Sequence, residues 1–249
     1  MVRRFGFIFA AMLFAGSPAR AADALKPLRS IVYDVAYSTS VARREQTSGF
    51  SNSAISGSTS SVSSGHGEVE RHLSSDEHGT LSVAIVAASK DGGLVADVAF
   101  VGRSTAQSAV RVAIFADGKL AYNPNTPLCP EALGLLPFLA RGLVAERQLS
   151  AGESWSIAFA PPASGATTYT VSGVDGERAV IAIDANMTVR GSSGFIQHTE
   201  GKTNYATDLL SPITLELSSR THRDISPEET DTTDTHLLAT LVSDSFQRH

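Results

Sequence analysis

Apolar and polar residues alternate along most of the chain. Period-two runs predict β-strands with one buried face, because successive side chains of a strand point to opposite faces. The alternating apolar positions are Ile31, Tyr33, Val35 and Tyr37; Leu81, Val83, Ile85 and Ala87; Leu94, Ala96, Val98 and Phe100; Val110, Val112 and Ile114; Tyr169 and Val171; Ala179, Ile181 and Ile183; and Leu237, Ala239 and Leu241. With the shorter runs between them, they predict about ten strands.

Three Asp-Gly pairs stand between such runs. They are Asp91-Gly92, Asp117-Gly118 and Asp175-Gly176. Asp-Gly accepts the positive φ angles that tight hairpin turns require, and strands joined by such short turns are antiparallel. We predict two further hairpins, at Glu200-Gly201 and at Leu210-Ser211-Pro212.

Two segments depart from the alternation. Residues 46–65 are dominated by Ser, Gly, Thr and Asn, which predicts a flexible loop, with an edge strand as the alternative. In residues 128–142, Pro130 suits the first turn of a helix, and Pro137 cannot lie deep within a continuous one. We therefore expect two short helical pieces, Pro130–Leu136 and Pro137–Arg141. This apolar insert must be covered, and the concave side of the sheet is the natural cover.

These elements predict a mainly β fold. We expect residues 22–249 to form one domain, a curved antiparallel sheet like a half-barrel with the apolar insert on its concave face. A symmetric pair of smaller sheets flanking the insert is the alternative.

The first 21 residues have the organisation of a secretory signal. Arg3 and Arg4 precede an apolar run from Phe5 to Ala15, and Ala19-Arg20-Ala21 has the small-x-small pattern of a cleavage site. The run is shorter than the ~20 residues that a membrane-spanning helix needs. We therefore expect export to the periplasm or beyond, with no stable membrane anchor.

The net charge and the cysteine count limit which binding partners and which cellular compartments fit the sequence. The formal net charge is −5, and removal of the signal, which contains three arginines and no acidic residue, makes it more negative. An acidic surface repels phosphate backbones and argues against nucleic acid as a partner. Cys129 is the only cysteine, so no intrachain disulfide forms, and a bacterial exported protein fits this composition.

Three elements resemble a known group of proteins. They are the strand Ile31–Tyr37, the Pro-containing insert leading to Gly152–Trp155, and the late segment with Glu200-Gly201, Tyr205 and Asp208. Together they resemble exported bacterial half-barrel proteins of unknown function, in the style of periplasmic lipoprotein carriers. In those carriers, a curved sheet wraps short helices, and the apolar space between them holds acyl chains. The resemblance implies the same architecture but transfers no functional residue.

Few residues are candidates for a catalytic or a metal-binding role. His66, Glu68, Glu70 and His72 share one face of a predicted strand, but residues spread along a straight strand do not converge on one ion. Cys129 is either a small, partly buried residue or a thiol activated by a helix start. No nucleophile elbow and no phosphate-binding loop is present. The sequence thus nominates no catalytic residue, no metal and no cofactor, and it favours a non-catalytic protein.

The apolar insert supplies the candidate ligand contacts. We expect Leu133, Leu136, Phe138 and Trp155 to line a pocket for an apolar ligand or a partner polypeptide. The alternatives are a structural envelope protein without a small ligand, and an exported hydrolase that uses a metal or carboxylates.

Overall fold

A computed structural model of the protein describes residues 27–47, 67–144, 149–191, 194–226 and 228–246. The predicted signal peptide and most of the Ser/Gly-rich segment lie outside these ranges, although Gln46 and Thr47 belong to the first strand. The strands are β1 Arg29–Thr47, β2 Gly67–Ala88, β3 Leu94–Gly102, β4 Ala106–Ile114, β5 Leu120–Tyr122, β6 Ser154–Ala158, β7 Ala163–Asp175, β8 Arg178–Val189, β9 Phe195–Ala206, β10 Ser211–Ser226 and β11 Glu229–Asp244.

All eleven described strands belong to one antiparallel sheet, in the order β5-β4-β3-β2-β1-β11-β10-β9-β8-β7-β6. The sheet is curved and does not close, in agreement with the half-barrel that the elements together predict. Strands β1 and β11 pair at its centre. Two arms extend from this pair: the N-terminal arm, β2 to β5, and the C-terminal arm, β10 to β6.

The three Asp-Gly hairpins are confirmed, since each pair lies at the turn that connects two strands that pair with one another. Gly92 and Gly118 both have φ of 85°, and Gly176 has φ of 57°. The described turn before β10 covers residues 207–210, slightly earlier than predicted.

The hairpin predicted at Glu200-Gly201 is wrong, because β9 runs straight through both residues. Gly201 pairs with Ile183 on one side and Leu217 on the other. A Cβ atom at this position would lie 2.2 Å from the carbonyl oxygen of Glu216 and 2.8 Å from Cδ2 of Leu217. The glycine therefore reflects a close approach within the sheet and not a turn.

The core lies on one face of the sheet. Most of the apolar residues picked out by the alternation are buried there, including Tyr33, Leu81, Phe100 and Ile181. Strand register aligns them in rows: Tyr33, for example, pairs with Leu81 on one side and Leu241 on the other. We refer to this as the concave face because it carries the insert.

The insert joins the two edge strands, β5 and β6, across the concave face. Helix α1, Pro130–Leu135, is followed by two 3-10 turns, Leu136–Leu139 and Arg141–Leu143. The first break falls at Leu136, one residue before Pro137, close to the predicted division. Gly134 lies against the Leu237 side chain of β11, 2.5 Å from where a Cβ would stand. In the described ranges, no helix is long and apolar enough to cross a bilayer.

Candidate functional site

A cavity of about 480 Å³ lies between the insert and the C-terminal arm. The insert contributes Leu133, Pro137, Phe138 and Ala140 to its wall, and Leu143 follows directly after the insert. The C-terminal arm contributes Ile157, Ala158, Phe159, Ala160, Ala163, Thr167, Tyr169, Ile183, Ala185, Met187, Gln197, Thr199 and Leu217. The turn between β4 and β5 contributes Asp117, Gly118 and Lys119. The size and the largely apolar wall are those of a small-molecule site.

The insert's side of the cavity is held in place by aromatic contacts. Phe138 meets Tyr169 of β7 edge-on, with ring centroids 6.4 Å apart and an interplanar angle of 79°. Tyr169 is stacked on Trp155 of β6, with centroids 5.4 Å apart. Edge-to-face and offset-stacked pairs are the favoured aromatic geometries. The three rings therefore anchor the insert to the edge of the C-terminal arm.

The sheet's side of the cavity follows from strand register. Ile183 pairs with Tyr169, and Ala185 pairs with Thr167, so the four side chains form two adjacent rows on the concave face. These small and apolar positions leave the hollow beneath the insert.

The wall changes from apolar to polar along the strands. Beneath the insert, Ile183 and Leu143 are buried, whereas Met187 and Gln197, further along the arm, are half-buried. The cavity thus has an enclosed apolar end and a more exposed end with polar side chains.

The charged part of the wall is internally neutralised. Lys119 and Asp117 form an ion pair within the same turn. Hydrogen bonding from Lys119 is the main cause that lowers the pKa of the Asp117 carboxyl, so this acid is ionised at neutral pH. The pair adds no net charge to the cavity.

The four predicted contact residues occupy two different environments. Leu133, 40% exposed, and Phe138 line the cavity. Leu136 is fully buried in the core, and Trp155, 8% exposed, lies behind Tyr169. Contact between a ligand and any of these residues stays a prediction.

Sequence reasoning did not predict most of the residues that line the cavity. Ala185 and Met187 continue the period-two pattern of Ile181 and Ile183, which places them on the concave face. This alternation could have placed both residues on the buried face of the strand from the sequence alone. Ile157 and Phe159 also alternate with Trp155, but the alternation does not show which neighbour covers this face, because that depends on how the edge strand β6 meets the insert.

A polar group lies under the other side of the insert. Glu131 is 3% exposed, and its Oε2 has no hydrogen-bond partner in the described part of the chain. Burial is the main cause that raises the pKa of the neighbouring Cys129 thiol to about 11, and Glu131 adds to the shift. The alternative of a thiol activated by the helix start is therefore wrong, since activation requires a lowered pKa.

The described part of the histidine-containing segment gives no convergent metal site. His66 lies outside the described residues, while Glu70 and His72 lie on β2 with exposed side chains. His72 Nε2 is 3.6 Å from Glu70 Oε1. Across the described ranges, no group of three or more His, Cys, Asp or Glu side chains is arranged to hold a metal ion.

Neither a protein-family model nor a curated protein matches this chain. Among solved structures, the chain is similar to lipovitellin, in a structure concerned with lipid–protein interactions. The match has a TM-score of 0.44 and 8% sequence identity, and it covers 90% of this chain. The chain spans only 26% of lipovitellin's length. The function proposed below therefore rests on the cavity and not on this likeness.

Proposed function

We propose that this chain is an exported, non-catalytic protein that binds an apolar ligand in the cavity between the insert and the C-terminal arm. The observation that carries the proposal is the cavity itself, about 480 Å³ in volume and walled mainly by apolar side chains. Export is supported by the signal-like organisation of residues 1–21. The resemblance to half-barrel carriers agrees with the open sheet and the short helices on its concave face.

Burial of apolar surface supplies the binding free energy. Each methylene group transferred from water into such a site contributes about 0.8 kcal/mol. The wall is held by rigid contacts, such as Phe138 on Tyr169, so little ordering of the protein opposes binding. A flexible hydrocarbon chain is the occupant that fits this chemistry.

A cavity-filling variant tests the proposal. Ala185 of β8 is buried and lines the cavity, so Ala185→Phe places a ring in the ligand's space. We expect the affinity for the uncharged fluorescent probe phenylnaphthylamine, measured by titration, to fall at least about tenfold. Lipid that copurifies with the gently isolated wild type, detected by mass spectrometry, should be lost in the variant.

The matched control is Ala182→Phe, because Ala182 lies on the same strand and faces the opposite side of the sheet. Its probe affinity should equal that of the wild type. If Ala185→Phe fails to fold, Leu133→Glu places a charge on the partly exposed part of the wall at little cost to folding. Wild-type protein that binds neither probe nor lipid, or variants that bind like the wild type, would overturn the proposal.

A further inference from the structure

Neutral polar side chains continue the cavity wall along the concave face. Thr199 and Gln197 of β9 line its more exposed end. The strand register places further neutral polar residues beside them on the next two strands, β10 and β11. Thr199 pairs with Ser219, which pairs with Thr235. Gln197 pairs with Thr221, which pairs with Thr233. The apolar hollow therefore opens onto two rows of hydroxyl and amide groups.

These groups have hydrogen-bonding capacity for a ligand. Thr199 Oγ1 and Ser219 Oγ are 2.7 Å apart, so one hydroxyl donates to the other. A hydroxyl has one donor and two acceptor lone pairs, so this pair still offers one hydrogen and several lone pairs. The Gln197 amide adds donors and an acceptor beside it. Such a surface both gives and accepts hydrogen bonds, as a polyol does.

We propose that the ligand is an amphipathic lipid whose head group is uncharged and rich in hydroxyls, such as a glycerol or a sugar, and which binds over Thr199, Ser219 and Gln197. This inference rests on the proposed function and specifies the class of its ligand. The hydrocarbon chain lies under the insert, and the head group lies over the polar rows.

Charge on the wall favours the uncharged head group over an anionic one. Among the described residues that line the cavity, the one cation is Lys119, which is already paired with Asp117. Further along the strands, Arg43 lies 2.8 Å from Asp231 and is paired with it, whereas Arg223, opposite Asp231 in register, is exposed to solvent outside the cavity wall. An anionic head group would lose its hydration without meeting an uncompensated cation among the described residues that line the cavity, and this is unfavourable in a partly enclosed site.

Competition at a fixed chain length tests the head group. Phenylnaphthylamine bound to the full mature chain is displaced by palmitoylglycerol, palmitoyl glucoside, palmitate or palmitoyl lysophosphatidylglycerol at neutral pH. We expect an uncharged lipid to displace the probe at about tenfold lower concentration than either anionic lipid. The first two lipids distinguish a glycerol from a sugar as the preferred head group.

Two variants locate the recognition. Thr199→Val together with Gln197→Leu removes the polar groups but retains the shape, so the preference should fall to about threefold or less while the probe still binds. Thr240→Val, on the opposite face of β11, is the matched control and should leave the preference unchanged.

The outcomes separate the two proposals. Probe binding with equal or better displacement by an anionic lipid overturns the head-group inference and leaves the apolar site intact. An unchanged preference in the double variant also overturns it. Failure of the wild type to bind the probe overturns the proposed function.

Discussion

The ring of Phe138 meets the ring of Tyr169 edge-on, at 6.4 Å between centroids and 79° between planes. This contact joins the insert to β7, near the outer edge of the C-terminal arm. Because Phe138 also lines the cavity, one side chain contributes to both the stability of the fold and the shape of the site.

Phe138→Ala should therefore destabilise the protein strongly. Removing a buried phenylalanine costs about 3–5 kcal/mol, from lost burial and from the enlarged cavity. Urea unfolding followed by circular dichroism measures the change. Phe115→Ala is the control: Phe115 is 47% exposed, so its change should stay within about 0.5 kcal/mol. Equal effects of the two substitutions would contradict the anchoring role of Phe138.

Gly142→Ala should push the insert away from the N-terminal arm. A Cβ at this position would lie 2.3 Å from the carbonyl oxygen of Ala116, which also accepts a hydrogen bond from the Gly142 amide. A backbone atom has little room to yield, so we expect a loss of about 1–3 kcal/mol in urea unfolding. Gly173→Ala meets no atom within 4 Å and should be neutral or slightly stabilising. A neutral Gly142→Ala would show that the insert is not pressed against Ala116.

Two buried tyrosines should respond differently to loss of the hydroxyl group. Tyr33 donates a buried hydrogen bond to the carbonyl oxygen of Pro212 at 3.1 Å, so Tyr33→Phe removes that bond and should cost about 0.5–1.5 kcal/mol. The Tyr205 hydroxyl has no hydrogen-bond partner in the described ranges, so Tyr205→Phe should be neutral or stabilising. Chemical denaturation of both variants is the measurement, and a reversed order would refute the assignment.

Stability should fall at alkaline pH. Burial raises the pKa of Cys129 to about 11 from a value of 9.0 in the unfolded chain. Between these values, the unfolded state has released the thiol proton and the folded state retains it, so the free energy of unfolding decreases as pH rises. The stability contributed by this group is fully present below pH 9.0 and is lost as pH rises towards about 11.

Cys129→Ala should remove about one proton from the pH dependence of unfolding in this window. Urea titrations at several pH values compare the slopes of the two proteins. The buried tyrosines, Tyr169 among them with a pKa raised to about 12 by burial, act in the same direction and leave a residual slope in the variant. An identical slope for both proteins would show that the thiol does not contribute.

Local signals predicted the strands and the tight turns well. At Asp175-Gly176, both the alternation on each side and the positive φ of the glycine are properties of a few neighbouring residues. The open antiparallel sheet follows from such turns repeated along the chain. The hairpin predicted at Glu200-Gly201 was wrong because Gly201 is required by the close approach of β9 to β10. Distances between strands cannot be inferred from a short stretch of sequence.

The cavity was less predictable for a related reason. Leu133 and Leu136 are chemically identical, yet one lines the cavity and the other is fully buried. Their difference arises from the direction in which the short helix α1 lies on the sheet. Trp155 similarly supports the wall from behind Tyr169, a relation that only the pairing of β6 with β7 creates.

The pairing of β1 with β11 at the sheet's centre has a consequence for how the molecule assembles. Each arm consists mainly of sequential hairpins, whose strands are close in sequence and can pair early in folding. The pairing of β1 with β11 instead joins residues roughly two hundred positions apart, such as Val35 and Ala239. Closing so long a loop is entropically costly and makes folding slow. During synthesis, β1 cannot pair with β11 until almost the whole polypeptide has emerged, and until then one of its edges is open to non-native pairing.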